Sequence, residues 1–165
     1  MKVCIKNAIH PTMLEAGVEG FWTPYLKMQL GYCEYNCTLC GQVCPSGAIP
    51  ELSLEEKHET VLGTAFIDRN RCIPWAQNRT CAVCEENCPI PDKAIVLRPE
   101  NVVDPITGES AVIQRPHVVI ERCVGCGMCE SKCPMPGESA IRVGPRRSLT
   151  DPASTVMPGS DYPVV

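Results

Sequence analysis

Apolar and polar positions alternate along this chain in short bursts. "TAFID" at 64–68 and "HVVIE" at 117–121 carry the period-two pattern of half-buried strands. Three more β-like runs, "SGAI" at 46–49, "DKAIVL" at 92–97 and "GESAIRV" at 137–143, each follow a Cys-Pro step and a short turn. In "SLEEKHETV" at 53–61, Ser53 is followed three residues later by Glu56, the capping-box start of a short exposed helix. "VVDPITGESAVI" at 102–113 sets a D-P-x-T-G turn between apolar pairs and predicts a β-hairpin that shields a buried site from solvent. From Gly144 onward Pro, Ser, Gly and Thr dominate without periodicity, and the expectation is a mobile tail or a strap laid on a partner.

Length and composition narrow what these elements can build. The 165 residues have room for one domain, or for two modules of about 60 to 80 residues each. Aromatic residues are 5% of the chain, against 12 glycines and 16 prolines, poor material for a core of regular helices and strands. Something besides apolar burial must hold the fold, and the 13 cysteines are the obvious means. A formal net charge of −4 gives no basic footprint for nucleic acid. No apolar run approaches the roughly 18 residues of a membrane helix, and the first 30 residues show no charged-then-apolar signal pattern.

Twelve of the cysteines form three groups with one ending: Cys33, Cys37, Cys40 and Cys44-Pro45; Cys72, Cys81, Cys84 and Cys88-Pro89; Cys123, Cys126, Cys129 and Cys133-Pro134. Each closes as C-x2-C-x3-C-P, the bacterial ferredoxin run for a [4Fe–4S] cluster. The first two groups carry insertions in their first gap. A short C-x2-C-x2-C loop wraps three corners of a cubane, and small residues such as Gly125 and Gly127 let backbone amides approach the sulfurs. In two-cluster ferredoxins the fourth cysteine leaves along a short helix to ligate the other cluster, so motifs work in pairs. The fold class expected is α+β: tandem bacterial-ferredoxin-like modules, small and irregular, organised by iron–sulfur clusters. The expected divisions are an N-terminal segment at 1–32, a two-motif module at 33–100, a third motif with its preceding hairpin at 101–143, and the tail at 144–165.

Other cysteine chemistries fit less well. Disulfides leave an odd cysteine, and tight C-x2-C pairs make poor structural bridges. Zinc ribbons use two C-x2-C pairs per metal instead of four-cysteine runs ending in proline. The C-x3-C-x2-C spacing of Cys33, Cys37 and Cys40 is also that of radical S-adenosylmethionine enzymes. Those need an iron without a protein ligand and a longer barrel, whereas the repeats here supply a fourth thiolate. The histidines His10, His58 and His117 adjoin no motif in sequence, and His58 is expected on the solvated face of its helix. "GFWTPYLKM" at 20–28 gathers Phe21, Trp22 and Tyr25, which either pack on the first module or dock a partner; Trp75, in the second motif's insertion, has the same two readings. Cys4, in "CIKNAI", matches the C-x-x-x-A-I of "CPSGAI". It is either the fourth cysteine of a motif lying upstream of Met1 or a buried small hydrophobe.

The stretch "GYCEYNCTLCGQVCPSGAI" and the motifs after it resemble the four-cluster ferredoxin-type proteins of the periplasmic nitrate reductase and methylamine utilisation systems, the NapG and MauM family, over roughly residues 1–143. That resemblance implies four motifs and an upstream twin-arginine signal, hence an N-terminally shortened form here, periplasmic if that signal precedes Met1 and cytoplasmic as given. With motif pairs nested as the resemblance suggests, Cys33, Cys37 and Cys40 take Cys88, and Cys72, Cys81 and Cys84 take Cys44. Cys123, Cys126 and Cys129 then take Cys4, or else Cys133 locally. The expected function is an electron carrier without a substrate site, passing single electrons through three [4Fe–4S] clusters. A membrane quinol-linked donor and a catalytic oxidoreductase subunit are the expected partners. The other reading is an iron–sulfur subunit of a larger oxidoreductase with a molybdenum, tungsten or flavin partner.

Overall fold

The computed structural model describes residues 2–14, 17–103 and 110–145, in which short helices and antiparallel ribbons are strung between the cysteine loops. Strand β1 (Ile9–Pro11) pairs with β2 (Pro24–Leu26), β3 (Thr64–Ile67) with β6 (Ile141–Gly144), and β4 (Ile95–Val103) with β5 (Ser110–Val118). The helices are α1 (Leu39–Gln42), α2 (Leu54–Glu59), α3 (Ile73–Ala76), α4 (Val83–Glu86) and α5 (Met128–Lys132). The arrangement is a mixed α+β one, as expected for a ferredoxin-type domain. Helices α1, α4 and α5 hold equivalent places: each contains the third cysteine of its run and delivers the chain to the fourth.

The core is small and rich in sulfur. Ala65, Ala94, Ile95, Cys123, Cys129 and Ile141 are buried together, with Cys84, Cys88 and Cys133 packed against them. An Ala-Ile step follows every fourth cysteine and opens a strand wherever it finds a partner: Ala8-Ile9 enters β1, Ala94-Ile95 enters β4 and Ala140-Ile141 enters β6. Those three alanines are buried, because a larger side chain would hold the strand off the core. Ala48-Ile49 is the exception. Ala48 is exposed and 46–49 runs as turn and bend, so the strand expected at "SGAI" is absent for want of a pairing edge.

The hairpin expected at 102–113 is present and longer than its sequence signal, with nine register pairs from Ile95↔Val118 to Val103↔Ser110. Its D-P-x-T-G turn lies outside the described residues. "HVVIE" contributes only its first two residues to β5, after which Val119 still donates to the Ala94 carbonyl before the chain turns. Both this hairpin and the β3–β6 pair join residues on either side of position 100. The tail beyond residue 145 lies outside the described residues. Among the described residues no helix is long and apolar enough to cross a membrane.

Two local devices tie the ends of the motifs. The Glu130 carboxylate, buried beside Cys129, accepts the Val143 N–H at 2.7 Å, and the Ser139 hydroxyl donates to the Glu130 carbonyl, fastening α5 to β6. Helix α2 begins with the full capping box: the Ser53 hydroxyl accepts the Glu56 N–H, and the Glu56 carboxylate accepts the Ser53 N–H. Replacing Ser53 by Ala is expected to cost about 1 kcal/mol. A thermal melt of Ser53→Ala beside the parent protein measures it, and an unchanged midpoint would show that tertiary contacts alone hold α2.

Candidate iron–sulfur sites

Thirteen cysteine sulfurs are distributed over three pockets and one isolated position. Cys33, Cys37 and Cys40 share a cavity of about 510 Å³ with Cys4, walled by apolar side chains such as Ile9, Leu39 and Ile49. Cys72, Cys81 and Cys84 share a tighter cleft with Cys133, under Pro74 and Pro116. Cys123, Cys126 and Cys129 share another with Cys88, between Ala65 and Ile95. Cys44 lines none of these three.

These groupings differ from the nested pairing expected from sequence. Cys88 stands with Cys123, Cys126 and Cys129 instead of with Cys33, Cys37 and Cys40, and Cys133 replaces Cys44 beside Cys72, Cys81 and Cys84. Neither Cys4 nor Cys133 reaches the third group, because Cys4 lies at the first. The physical reason is the packing of α4 on α5. Each helix starts in its own cysteine loop and points its C-terminal end at the other's, so their terminal cysteines, Cys88 and Cys133, change places.

The sites adjoin in an order that is not sequence order. The Cys33 N–H donates to the Cys126 carbonyl at 2.8 Å and the Leu62 N–H to the Val124 carbonyl at 2.9 Å, joining the first loop to the third. Cys84 and Cys129 lie close enough for their charges to act on each other, joining the third site to the second. The third site therefore stands between the other two.

Backbone amides are already aimed at the sulfurs. Ala8 donates to Cys4 Sγ at 3.2 Å, Ala65 to Cys123 Sγ at 3.4 Å and Ala140 to Cys133 Sγ at 3.3 Å. Cys44 has the matching bond, from Ile49 N–H at 3.4 Å, so Cys4 repeats the surroundings of the fourth cysteine of a motif. At Cys44 these donors, with Ser46, pull the thiol down to about 7. Burial pushes the grouped thiols the other way, Cys72 and Cys126 up to about 11 and Cys84 to about 12. Thiols this reluctant to ionise give up their protons when a cation core replaces them.

The donor sets suit a cluster better than a single ion. Each pocket is lined by four cysteines, the number of thiolates that hold a [4Fe–4S] cluster. Among the described residues no three His, Cys, Asp or Glu side chains converge tightly enough for one metal ion. The third loop also needs its glycines. Gly125 has φ +70°, and a Cβ there would meet the Gly63 backbone; Gly127 has φ +78°, and a Cβ there would strike Met28.

Helix α2 supplies residues that spacing alone did not reveal. Lys57 Nζ donates to the Glu34 carbonyl at 3.2 Å and lies beside Cys33, where its charge favours the thiolate against the burial that raises that thiol. His58 stacks on Tyr35 with ring centroids 4.0 Å apart and bonds the Asn36 side chain. It is half-buried, and its ring contacts reach the first cysteine loop. The one sequence signal was the capped helix itself, which carries no mark of its docking partner. His10 bonds the Asn7 carbonyl, and His117 sits on the hairpin against Trp75. The 20–28 stretch divides its roles: Tyr25 and Leu26 line the first cavity and Met28 is buried over Gly127, while Phe21 and Trp22 stay 48% and 59% exposed.

Residues 78–136 match a 4Fe-4S dicluster domain. The chain is 33% identical over 150 residues to the methylamine utilization ferredoxin-type protein MauM of Methylorubrum extorquens, covering 87% of this chain and 64% of that one. It is 32% identical over 129 residues to the ferredoxin-type protein NapG of Escherichia coli, and 30% identical over 128 residues to NapG of Haemophilus influenzae. These cover 77% of this chain in each case, and 53% and 44% of the relatives. The chain thus spans between about two fifths and two thirds of the length of the curated relatives it matches. The resemblance expected from the motifs, to ferredoxin-type proteins of the MauM and NapG kind, is borne out. No solved structure matches the chain.

Gly125→Ala is expected to lose the iron of the third site, because the added methyl meets backbone that cannot swing away. Gly47→Ala, at φ +68° with open space around it, is expected to keep its iron and to lose only about 1 kcal/mol of stability. Iron analysis of the two variants, purified in parallel, separates a close approach at the site from a general intolerance of left-handed backbone.

Proposed function

We propose that this chain is an electron-transfer protein of tandem ferredoxin-like modules that holds three [4Fe–4S] clusters. The ligands are Cys4, Cys33, Cys37 and Cys40 at the first site, Cys72, Cys81, Cys84 and Cys133 at the second, and Cys88, Cys123, Cys126 and Cys129 at the third. The observation that carries this reading is the sulfur grouping itself: two triplets each meet the last cysteine of the other's run, and the first triplet meets Cys4. A bound [4Fe–4S] cluster supplies one-electron redox chemistry over a range of roughly −700 to +450 mV, set by its surroundings.

The chain's own residues set those surroundings. The N–H groups of Ala8, Ala65 and Ala140 point at ligand sulfurs and stabilise negative charge there. Pro74 and Pro116, both fully buried, keep water from the second site. Cys44 is the surplus cysteine in this assignment. The sites run first, third, second, so the ends of the series, where donor and acceptor proteins would meet the chain, are the first and second sites. A role in methylamine utilization is what the name of MauM suggests for partners; an oxidoreductase on one side and an electron donor on the other complete the reading.

Anaerobic purification should yield about twelve irons and twelve acid-labile sulfides per chain, the content of three cubanes. Cys4→Ala and Cys133→Ala should each lose about a third of that iron, and Cys44→Ala none. Iron loss from Cys44→Ala with full retention in Cys4→Ala would sink the assignment, and zinc without sulfide would sink the function.

Lys57 provides a spectroscopic test of the first site. Its ammonium group favours the more negative, reduced state nearby. Lys57→Met is therefore expected to lower one of three midpoint potentials, on the order of tens of millivolts, and to leave the other two in place. A redox titration followed by EPR reads this shift.

A further inference from the structure

The second site, at one end of the series, lies under a surface with an unusual charge. Trp75, in the insertion between Cys72 and Cys81, is held between two guanidinium groups, Arg69 at 4.2 Å and Arg115 at 4.6 Å from its ring centroid. The Trp75 indole N–H donates to the carbonyl of Pro116, the residue that roofs the second site, and Trp75 N–H donates to the carbonyl of Cys72. His117 meets the ring edge-on at 5.3 Å.

The hairpin adds a cost that packing does not explain. In the β4–β5 register Arg98 lies directly opposite Arg115, and like charges in that position destabilise a ribbon. One carboxylate, Glu100, answers them; it pairs with Arg115 at 2.7 Å and with His117 at 3.6 Å. Asp68, next to Arg69, is engaged with the Asn70 N–H. Arg69 and Arg98 remain exposed, so this face is cationic on a chain whose formal net charge is −4. An exposed cationic face beside a buried redox site, kept at a cost in strand pairing, is suited to an anionic surface that arrives from solution.

We propose that the face formed by Arg69, Trp75, Arg98 and Arg115 is the docking surface for a carboxylate-rich face of a redox partner protein, placing that partner over the second site. The surface rests on the electron-carrier reading for its purpose, while its charge complementarity can be tested without reference to the clusters. Arg115 is committed to the fold through Glu100 and Asn78. Arg69 and Arg98 supply the attraction, and half-buried Trp75, in contact with Arg69 and Arg115, gives an apolar anchor beside them.

The decisive variant is Arg98→Glu. It replaces a repulsive cross-strand pair with an attractive one opposite Arg115, so the thermal midpoint should hold or rise, while recognition of an acidic surface should fall. The probe is a fluorescein-labelled oligoglutamate peptide, titrated with the holoprotein by fluorescence anisotropy at low ionic strength. The expected result is binding that weakens with added salt, weakens by about tenfold in the Arg69→Glu/Arg98→Glu double variant, and stays near the parent value in Arg142→Glu, on β6. Equal weakening in Arg142→Glu would reduce the effect to overall charge and overturn the proposal, as would unchanged binding in the double variant. Preferential binding to phosphatidylglycerol vesicles over the peptide would overturn it in favour of a lipid surface. A protein that binds the peptide but contains no iron or sulfide would separate failure of the carrier reading from failure of the docking surface.

Discussion

A fourth cysteine delivered to one loop from a different run is the constraint that orders this protein. The elements around it are too slight to order themselves. Helices of four to six residues and two-stranded ribbons are marginal in water when isolated. Helices α1, α4 and α5 are each held between the second and fourth cysteines of their own run. The exchange between α4 and α5 fixes the direction of both helices, the helices fix the Ala-Ile steps that follow, and those steps open β4 and β6. Cysteine is well suited to such a core, since a protonated thiol packs as a small hydrophobe and an ionised one ligates metal. Burial raises the thiols of Cys72, Cys84 and Cys126 against the pull of neighbouring backbone dipoles.

What the sequence made legible was local. The capping box of α2, the strand at 64–67, the hairpin and the three cysteine triplets all depend on residues within a few positions of each other, and all appear in the structure. The choice of the fourth cysteine is of another kind. Cys44, Cys88 and Cys133 have the same flanks, and only the packing of α4 on α5 distinguishes them. A nested and an adjacent exchange of cysteines are equally compatible with the spacing. The contact of Lys57 and His58 with the first loop was hidden for the same reason, because an exposed-looking helix does not announce which loop it will cover. "SGAI" shows the converse. Its pattern equals that of its sister steps, yet a strand needs an edge to pair with, and Ala48 remains exposed.

Cys4 shows how a weak repeat gains meaning from geometry. The match between "CIKNAI" and "CPSGAI" lacks the proline, so sequence left a ligand and a filler residue equally open. In the structure Ala8 is fully buried and its N–H reaches Cys4 Sγ, as Ile49 N–H reaches Cys44 and Ala140 N–H reaches Cys133. A filler cysteine has no need of an aimed amide or of three other cysteines around a shared cavity.

In the proposed series the two end sites differ in their physics. At the first site the surroundings are a wide, apolar cavity, with Lys57 as a nearby cation that answers Cys33. At the second, the sulfurs are closed off by Pro74 and Pro116, and the charge lies outside them on the arginine-flanked Trp75. A partner at the first end would meet apolar surface and find its contact in burial, which salt weakens little. A partner at the second would be drawn by charge, which ionic strength screens within about 10 Å at 0.1 M salt. A carrier with chemically unlike ends can hold one neighbour through a durable apolar contact and exchange the other through a brief electrostatic one. Reversing the charge around Trp75 would then change how fast the second neighbour arrives, and leave the contact with the first intact.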